Sequence, residues 1–158
     1  MEKQRILIVG SELGFITEAR KALEASYEVS VASSKAEGLE KAKRESPDLI
    51  IIGYLEPRGD SFKLHKELRR EIATRNIPLL IVDVRPEEHS RKGWRLDEGM
   101  QMEAEGYLTQ PVDPNELREE VARILKSAAP RPVELEDILE QMEILLRRVE
   151  RIERMLAV

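Results

Sequence analysis

The most regular feature of the sequence is a series of short apolar runs separated by amphipathic segments. The runs Ile6 to Val9, Leu49 to Ile52 and Leu79 to Val82 are each apolar at four consecutive positions. Such runs are typical of central strands in a parallel sheet that is covered on both faces. The alternating pattern from Tyr27 to Ala32 predicts a less buried strand, and a fifth short strand is predicted at Gly106 to Thr109.

Helical patterns lie between these predicted strands. One helix is predicted from about Phe15 to Ala25, and another begins at Ser34, which has the spacing of a capping box with Glu37. A third helix follows Asp60, a fourth is expected around Trp94, and a fifth is predicted from Pro114 to about Lys126. The alternation of strands and helices predicts a flavodoxin-like α/β fold, a doubly wound five-stranded parallel sheet with its site at the carboxyl ends of the strands.

The C-terminal part of the chain has a different pattern. Residues 127–132, SAAPRP, indicate a linker between a domain of residues 1–126 and one long helix of residues 133–158. That helix carries an a/d heptad seam formed by Leu135, Ile138, Met142, Leu145, Val149, Ile152 and Leu156. We expect the seam to mediate self-association through a coiled coil, and packing of the helix on its own domain is the alternative.

The charges of this segment leave its pairing open. Residues 134–143 hold five acidic residues and no basic one, whereas residues 147–154 hold four arginines and two glutamates. An antiparallel partner would bring opposite signs together, but a parallel partner would also pair Arg148 with Glu153. Leu139 and Leu146, at e positions, widen the apolar stripe. Both a homodimer and a higher helical bundle are therefore consistent with the sequence.

Composition and charge narrow the classes of function. The chain has 158 residues, no cysteine and a net charge of −5, which excludes cysteine-type zinc sites and argues against a protein that coats nucleic acid. No apolar run approaches the roughly 20 residues that cross a membrane, and the N-terminal residues lack the layout of a signal peptide. We expect a cytoplasmic protein with neither a membrane nor a nucleic acid as its partner.

Four segments carry a resemblance to a known family. They are, in order, RILIVGSE, SPDLIIIGYLEPRGDSFKLHKELR, NIPLLIVDV and EGYLTQPVDPNELREEV. In sequence and spacing they resemble the receiver domain of two-component response regulators over about residues 4–126. The resemblance implies a pocket with an acidic pair after the first strand, an acceptor aspartate ending the third, a Ser or Thr after the fourth and a lysine before the proline after the fifth.

The residues at these five positions depart from the family pattern. Gly10 and Ser11 stand at the acidic pair, Gly53 at the acceptor, Asp83 at the hydroxyl position and Gln110 at the lysine position. Magnesium needs hard oxygen ligands and phosphoryl transfer needs a nucleophile, and glycine provides neither. We therefore expect no phosphorylation at the family site, no enzymatic activity and no cofactor.

The sequence thus predicts a pseudo-receiver that acts by phosphorylation-independent protein–protein interaction. Another signalling protein is the expected partner besides a second copy of the chain. Tyr107 matches the aromatic switch position of the family, and Trp94, near which a helix is expected, falls in the segment of the family's output face. Both residues are candidates for a partner face, and a packing role is the alternative for each. Phosphorylation of Ser11 or Thr109 by an outside kinase is left open.

Two other functions are weighed against this interpretation. Glu12 and Asp83 could hold a metal or a small ligand in the emptied pocket, although an ion pair or hydrogen bond explains Asp83 more simply. A transcription-associated regulator is the second alternative, but a single tail helix does not form a helix-turn-helix. His65 is expected on a helix surface and His89 in a loop, so neither is assigned a ligand role.

Overall fold

The computed structural model describes residues 3–95, 98, 100–128 and 142–151. The chain divides into two units, Met1–Lys126 and Ser127–Val158. In the first unit, five parallel strands form one sheet in the order β2-β1-β3-β4-β5. The strands are β1 (Arg5–Val9), β2 (Glu28–Ala32), β3 (Leu49–Ile52), β4 (Leu79–Asp83) and β5 (Gly106–Thr109). This topology confirms the predicted flavodoxin-like fold.

Helices cover both faces of the sheet. They are α1 (Leu13–Leu23), α2 (Lys35–Glu45), α3 (Asp60–Arg70), α4 (His89–Lys92) and α5 (Pro114–Ala128), and a 3₁₀ turn at Pro86–Glu88 precedes α4. Side chains alternate between two cores along each central strand. Ile8 and Ile51 pack with α1 and α5, whereas Val9 and Ile52 pack with α2 and α3. Because each such buried side chain contributes about 1.5–3 kcal/mol, the apolar runs are the main source of stability.

Two helices begin where the sequence places them. Ser34 Oγ accepts a hydrogen bond from the Glu37 N–H at 3.1 Å and caps α2. The Glu37 carboxylate accepts from the Ser33 N–H at 3.4 Å rather than from Ser34, and this bond lowers the pKa of Glu37. Asp113 Oδ1 accepts from the Asn115 N–H at 2.8 Å at the start of α5. Side-chain acceptors therefore satisfy N–H groups that have no partner within the helix.

Several helix boundaries differ from those predicted. α1 begins and ends two residues earlier than Phe15 to Ala25. α5 includes Ser127 and Ala128, which the sequence places in the linker, because only the prolines beyond them interrupt a helix. Residues 129–132 of the predicted linker lie outside the described residues. Trp94 is not helical, since α4 ends at Lys92 and the backbone of Gly93 is extended.

In the second unit, residues 142–151 are helical. Met142, Leu145 and Val149 of the heptad seam expose 55%, 57% and 51% of their surface. The other seam residues, Leu135, Ile138, Ile152 and Leu156, lie outside the described residues. Among the helices that the structure describes, none combines the length and the apolar character that crossing a bilayer requires.

Candidate functional site

Backbone hydrogen bonds gather the predicted pocket residues along one edge of the sheet. The Ser11 N–H donates to Tyr54 O at 2.7 Å, which joins the loop after β1 to the loop after β3. The Gln110 N–H donates to Asp83 O at 3.0 Å, which joins the ends of β5 and β4. The carboxyl ends of parallel strands meet at this edge, as the fold requires. The five positions that it carries are Gly10, Ser11, Gly53, Asp83 and Gln110.

The acceptor position is filled by an aromatic ring from α1. Gly53 is buried, and a Cβ added to it would meet Phe15 Cε1 at 2.7 Å and Cδ1 at 3.0 Å. Both distances are shorter than the carbon–carbon separation of about 3.5–4.0 Å in favourable contact. Phe15 is partly buried and packs on the core between the sheet, α1 and α5. The space that an acceptor side chain would need is therefore taken by the Phe15 ring.

The hydroxyl groups near the pocket are engaged by backbone groups. Ser11 Oγ accepts from the Glu56 N–H at 3.0 Å, and Ser61 Oγ donates to Gly53 O at 2.7 Å. Ser61 is buried, so its hydroxyl satisfies a carbonyl that water does not reach. At Gly10, by contrast, the nearest atom to an added Cβ would be 3.7 Å away. Steric crowding thus affects Gly53 and not Gly10.

Glu12 links the loop after β1 to two other elements. Its Oε1 accepts from Gln110 Nε2 at 3.2 Å, and its Oε2 lies 3.8 Å from Lys92 Nζ. Lys92 Nζ also lies 4.0 Å from Glu88 Oε1 and 5.1 Å from the centroid of the Tyr54 ring, which is within cation–π range. The ammonium group of Lys92 therefore provides positive charge beside the pocket, and Gln110 is bound to a carboxylate.

Asp83 has partners other than Glu12. Its Oδ2 lies 3.2 Å from His89 Nε2, and its Oδ1 accepts from the Val84 N–H at 2.8 Å. His89 is the first residue of α4 and not a loop residue, so the prediction for it is wrong. Across the described residues, no group of three His, Asp or Glu side chains is placed to hold a metal ion.

Arg58 fastens the α4 segment to the loop after β3. Its guanidinium donates to Gly93 O from Nε at 3.2 Å and from Nη2 at 3.0 Å, and to Ser90 O from Nη1 at 3.0 Å. Trp94 is half-buried on the core beneath α3, with its ring edge-on to Phe62 at 6.1 Å between centroids. Arg58 and Trp94 together hold the segment after α4 against the domain.

These contacts leave a narrow cleft between the β3–α3 and β4–α4 loops. Its walls include Gly53, Asp83, Lys92 and Trp94, and its volume is about 20 Å³. A volume of this size accommodates about one water molecule.

Tyr107, at the predicted switch position, lies on the surface of β5. Its side chain is exposed, and its hydroxyl accepts from the Ala104 N–H at 3.2 Å and donates to Met102 O at 3.5 Å. The hydroxyl therefore holds the segment that leads into β5.

The sequence predicted His65 on a helix surface, but its side chain is buried. Only 2% of it is exposed, and its Nε2 accepts from the Glu103 N–H at 2.8 Å. Burial lowers the pKa of His65, and the positive charge of Arg69 lowers it further. The ring is therefore neutral with its proton on Nδ1, which has no hydrogen-bond partner among the described residues.

Sequence reasoning missed three residues of the site: Phe15, Arg58 and Lys92. Phe15 is one of only two phenylalanines and follows the first strand closely, which is the one signal that could have drawn attention to it. Arg58 and Lys92 are two among 26 basic residues, and their spacing does not mark them out. Their partners are backbone carbonyls and carboxylates from other loops, so only the folded chain reveals their positions.

Comparisons with known proteins agree with this fold. The family model of the response regulator receiver domain matches residues 6–122. The alkaline phosphatase synthesis transcriptional regulatory protein PhoP of Bacillus subtilis is 32% identical over 124 residues, which cover 78% of this chain and 49% of that protein. The phosphate regulon transcriptional regulatory protein PhoB of Escherichia coli is 33% identical over 88 residues, which cover 56% of this chain and 36% of that protein.

A solved structure of a candidate response regulator from Chloroflexus aurantiacus is similar as well. It matches with a TM-score of 0.68 and 28% identity, covering 79% of this chain and 99% of that one. The chain therefore belongs to the response regulator receiver domain family. It spans half or less of the length of the two curated relatives.

Proposed function

We propose that this protein is a pseudo-receiver, which acts by protein–protein interaction without accepting a phosphoryl group and without enzymatic activity. One observation carries the proposal. The acceptor position is Gly53, and the Phe15 ring occupies the space into which an acceptor side chain would extend. A receiver of this kind lacks both the nucleophile and the room for it.

The neighbouring groups support the same conclusion. Gly10 and Ser11 supply no carboxylate for magnesium, and the nearby carboxylate of Glu12 is bound to Gln110 and Lys92. A divalent cation would have to compete with the ammonium group of Lys92 at this position.

The cross-links around the pocket favour a fixed surface over a switching one. Arg58 ties α4 to the loop after β3, and Lys92 ties α4 to Glu12 in the loop after β1. The exposed ring of Tyr107 and the segment of the half-buried Trp94 form the partner face that we propose for another signalling protein. Aromatic residues at a rigid surface are favourable contact groups.

Self-association through the C-terminal helix is the second part of the proposal. Met142, Leu145 and Val149 recur with heptad spacing and are all more than half exposed in the single chain. A stripe of large apolar side chains on one helix face is stabilised by burial against another helix.

The proposal that the receiver domain does not accept a phosphoryl group is tested with beryllium fluoride, which is a phosphoryl analogue. The full chain is titrated with it in the presence of magnesium. Trp94 is the only tryptophan, and it lines the same cleft as Gly53, so its fluorescence reports binding there. We expect no saturable change. A saturable change that requires both magnesium and beryllium fluoride would overturn the proposal.

Self-association through the C-terminal helix is tested by deleting residues 133–158. We expect the remaining chain to be a folded monomer in sedimentation, since the apolar stripe is removed. A dimer of the truncated chain would move the interface to the receiver domain.

A transcription-associated role is the second candidate, because PhoP and PhoB are both named transcriptional regulatory proteins. This role would require the chain to bind DNA. A gel-shift titration with random duplex DNA at low salt tests this role. We expect no shift at micromolar concentrations of the chain. The cleft beside Gly53 measures about 20 Å³, whereas a separate cleft lined by Glu12, Phe15 and Gln110 measures about 250 Å³, so a small-molecule sensor would have to use the second cleft.

A further inference from the structure

The second cleft, lined by Glu12, Phe15 and Gln110, is large enough for a small organic molecule. It lies between one face of α1, the loop after β4 and the start of α5, and its volume is about 250 Å³. An apolar cavity of roughly 150 Å³ admits benzene. The second cleft can therefore hold a single ring together with polar substituents. Open α/β sheets bind their ligands at this edge, outside the carboxyl ends of the strands.

Apolar side chains from the core form part of the walls of the second cleft. Phe15 and Ala19 line it from α1, four residues apart and therefore on one helix face. Val112 and Leu117 line it from the loop after β5 and from α5. Ala19 and Leu117 are each 2% exposed, and Phe15 and Val112 pack against the same core cluster. The packing of the core thus sets the shape of the cleft.

One charged residue of the second cleft already has partners within the protein. Glu12 Oε1 accepts from Gln110 Nε2 at 3.2 Å, and its Oε2 lies 3.8 Å from Lys92 Nζ. Glu12 also precedes the first turn of α1, where the helix dipole favours a negative charge. The charge of Glu12 is therefore balanced without a ligand.

Two other charged residues of the second cleft have no such partner. Glu18 lines the cleft from α1, and Arg85 lines it from the loop after β4. Among the described residues, neither side chain lies within ion-pair distance of an opposite charge, so the two do not pair with each other. Either charge alone would be an ordinary solvated group. Their joint position on one cleft with apolar walls points to a ligand that carries both charges.

We propose that the second cleft binds a small zwitterion with an apolar body, of which an α-amino acid with an apolar side chain is the simplest case. Its carboxylate pairs with Arg85, whose guanidinium group can bind it through two hydrogen bonds, and its ammonium group pairs with Glu18. Its apolar side chain packs on Phe15 and Leu117. The Phe15 ring, which fills the acceptor position at Gly53, is thus also a binding surface. This ligand goes beyond the proposed function and depends neither on the partner face nor on the C-terminal helix.

Nuclear magnetic resonance of the full chain, titrated with L-phenylalanine, tests the proposal. We expect saturable shifts of the amide resonances of Phe15, Glu18 and Val112. Phenethylamine lacks the carboxylate and 3-phenylpropionate lacks the ammonium group, so each should bind about two- to fivefold more weakly because one ion pair is lost. The proposal would be overturned by the absence of saturable shifts at these amides with millimolar phenylalanine. Equal affinity for either singly charged analogue would overturn it as well.

Two substitutions test the role of each charge. Glu18→Gln and Arg85→Gln change exposed residues and should each weaken phenylalanine binding about two- to fivefold. Arg85→Gln should not weaken the binding of phenethylamine, and Glu18→Gln should not weaken that of 3-phenylpropionate. Glu119→Gln is the matched control, since Glu119 is an exposed acid of α5 that does not line the cleft. A loss of phenylalanine affinity in Glu119→Gln as large as that in Glu18→Gln would contradict the assignment.

Discussion

The ring of Phe15 stands where a side chain at position 53 would begin, with Cε1 only 2.7 Å from the place of a Cβ on Gly53. The two residues are far apart in the sequence and meet because α1 packs beside the carboxyl end of β3. At the position that corresponds to the family's acceptor, a glycine is therefore combined with an aromatic ring packed against it. Restoring the aspartate alone would place a carboxylate against an aromatic ring in a buried position.

Gly53→Ala is expected to lower the free energy of unfolding by about 1–3 kcal/mol, because the added methyl group overlaps the Phe15 ring. In a Phe15→Ala background the same substitution should cost less than about 1 kcal/mol, since the ring is gone. Urea unfolding of the four chains measures the difference. Gly10→Ala is the matched control and should change stability by no more than about 0.5 kcal/mol. Equal costs of Gly53→Ala in both backgrounds would contradict the contact.

Stability should fall on the acid side of neutrality because of His65. Its pKa is lower in the folded chain than the ordinary value of 6.5, so the unfolded chain binds the proton more readily. The contribution of neutral His65 to the free energy of unfolding is therefore fully present above about pH 6.5. It is lost as the pH falls from 6.5 toward the lower pKa of the folded chain. Protonation of Nε2 would also remove the acceptor for the Glu103 N–H.

Thermal unfolding between pH 7.5 and 5.5 measures this dependence. His65→Gln should flatten the decline, although its stability at pH 7.5 is expected to be lower. His89→Gln replaces the half-exposed histidine and should retain the decline. A decline that is unchanged in His65→Gln would show that another group is responsible.

Arg58→Ala should loosen the α4 segment without unfolding the domain. The substitution removes the three hydrogen bonds to Ser90 O and Gly93 O. A loss of about 1.4 kcal/mol in local stability corresponds to about tenfold faster amide exchange over residues 89–93. Hydrogen–deuterium exchange with mass spectrometry measures it. Arg70→Ala, which removes an exposed arginine from α3, should leave exchange there unchanged, and equal acceleration in both variants would contradict the role of Arg58.

The sequence predicted the sheet well because its signals are local. The runs at Ile6, Leu49 and Leu79 owe their burial to coverage on both faces, which any parallel sheet of this kind provides. The start of α2 at Ser34 was equally predictable, since a capping residue acts within one turn. Contacts between residues that are close in the sequence can be predicted from the sequence alone.

The pocket was less predictable, because its contacts join distant parts of the chain. The five pocket positions came from a family resemblance, and the structure places them along one edge of the sheet. The ring over Gly53, the Lys92 contact with Glu12 and the burial of His65 each depend on how loops and helices pack. The helix period does place His65 on the buried face of α3, since the buried residues Ser61, Leu64, His65 and Leu68 have the spacing i, i+3, i+4, i+7. The polar character of the His65 side chain concealed that signal in the sequence.

The central claim, that this receiver domain does not accept a phosphoryl group, is tested most directly by the intact mass of the full chain after incubation with acetyl phosphate and magnesium. A chain with the family residues restored at positions 10, 11, 53, 83 and 110, together with Phe15→Ala, serves as the control. The account predicts an unchanged mass for the natural sequence under conditions that phosphorylate the control. A phosphoryl adduct on a carboxylate near the pocket, such as Asp83 or Glu12, would contradict it.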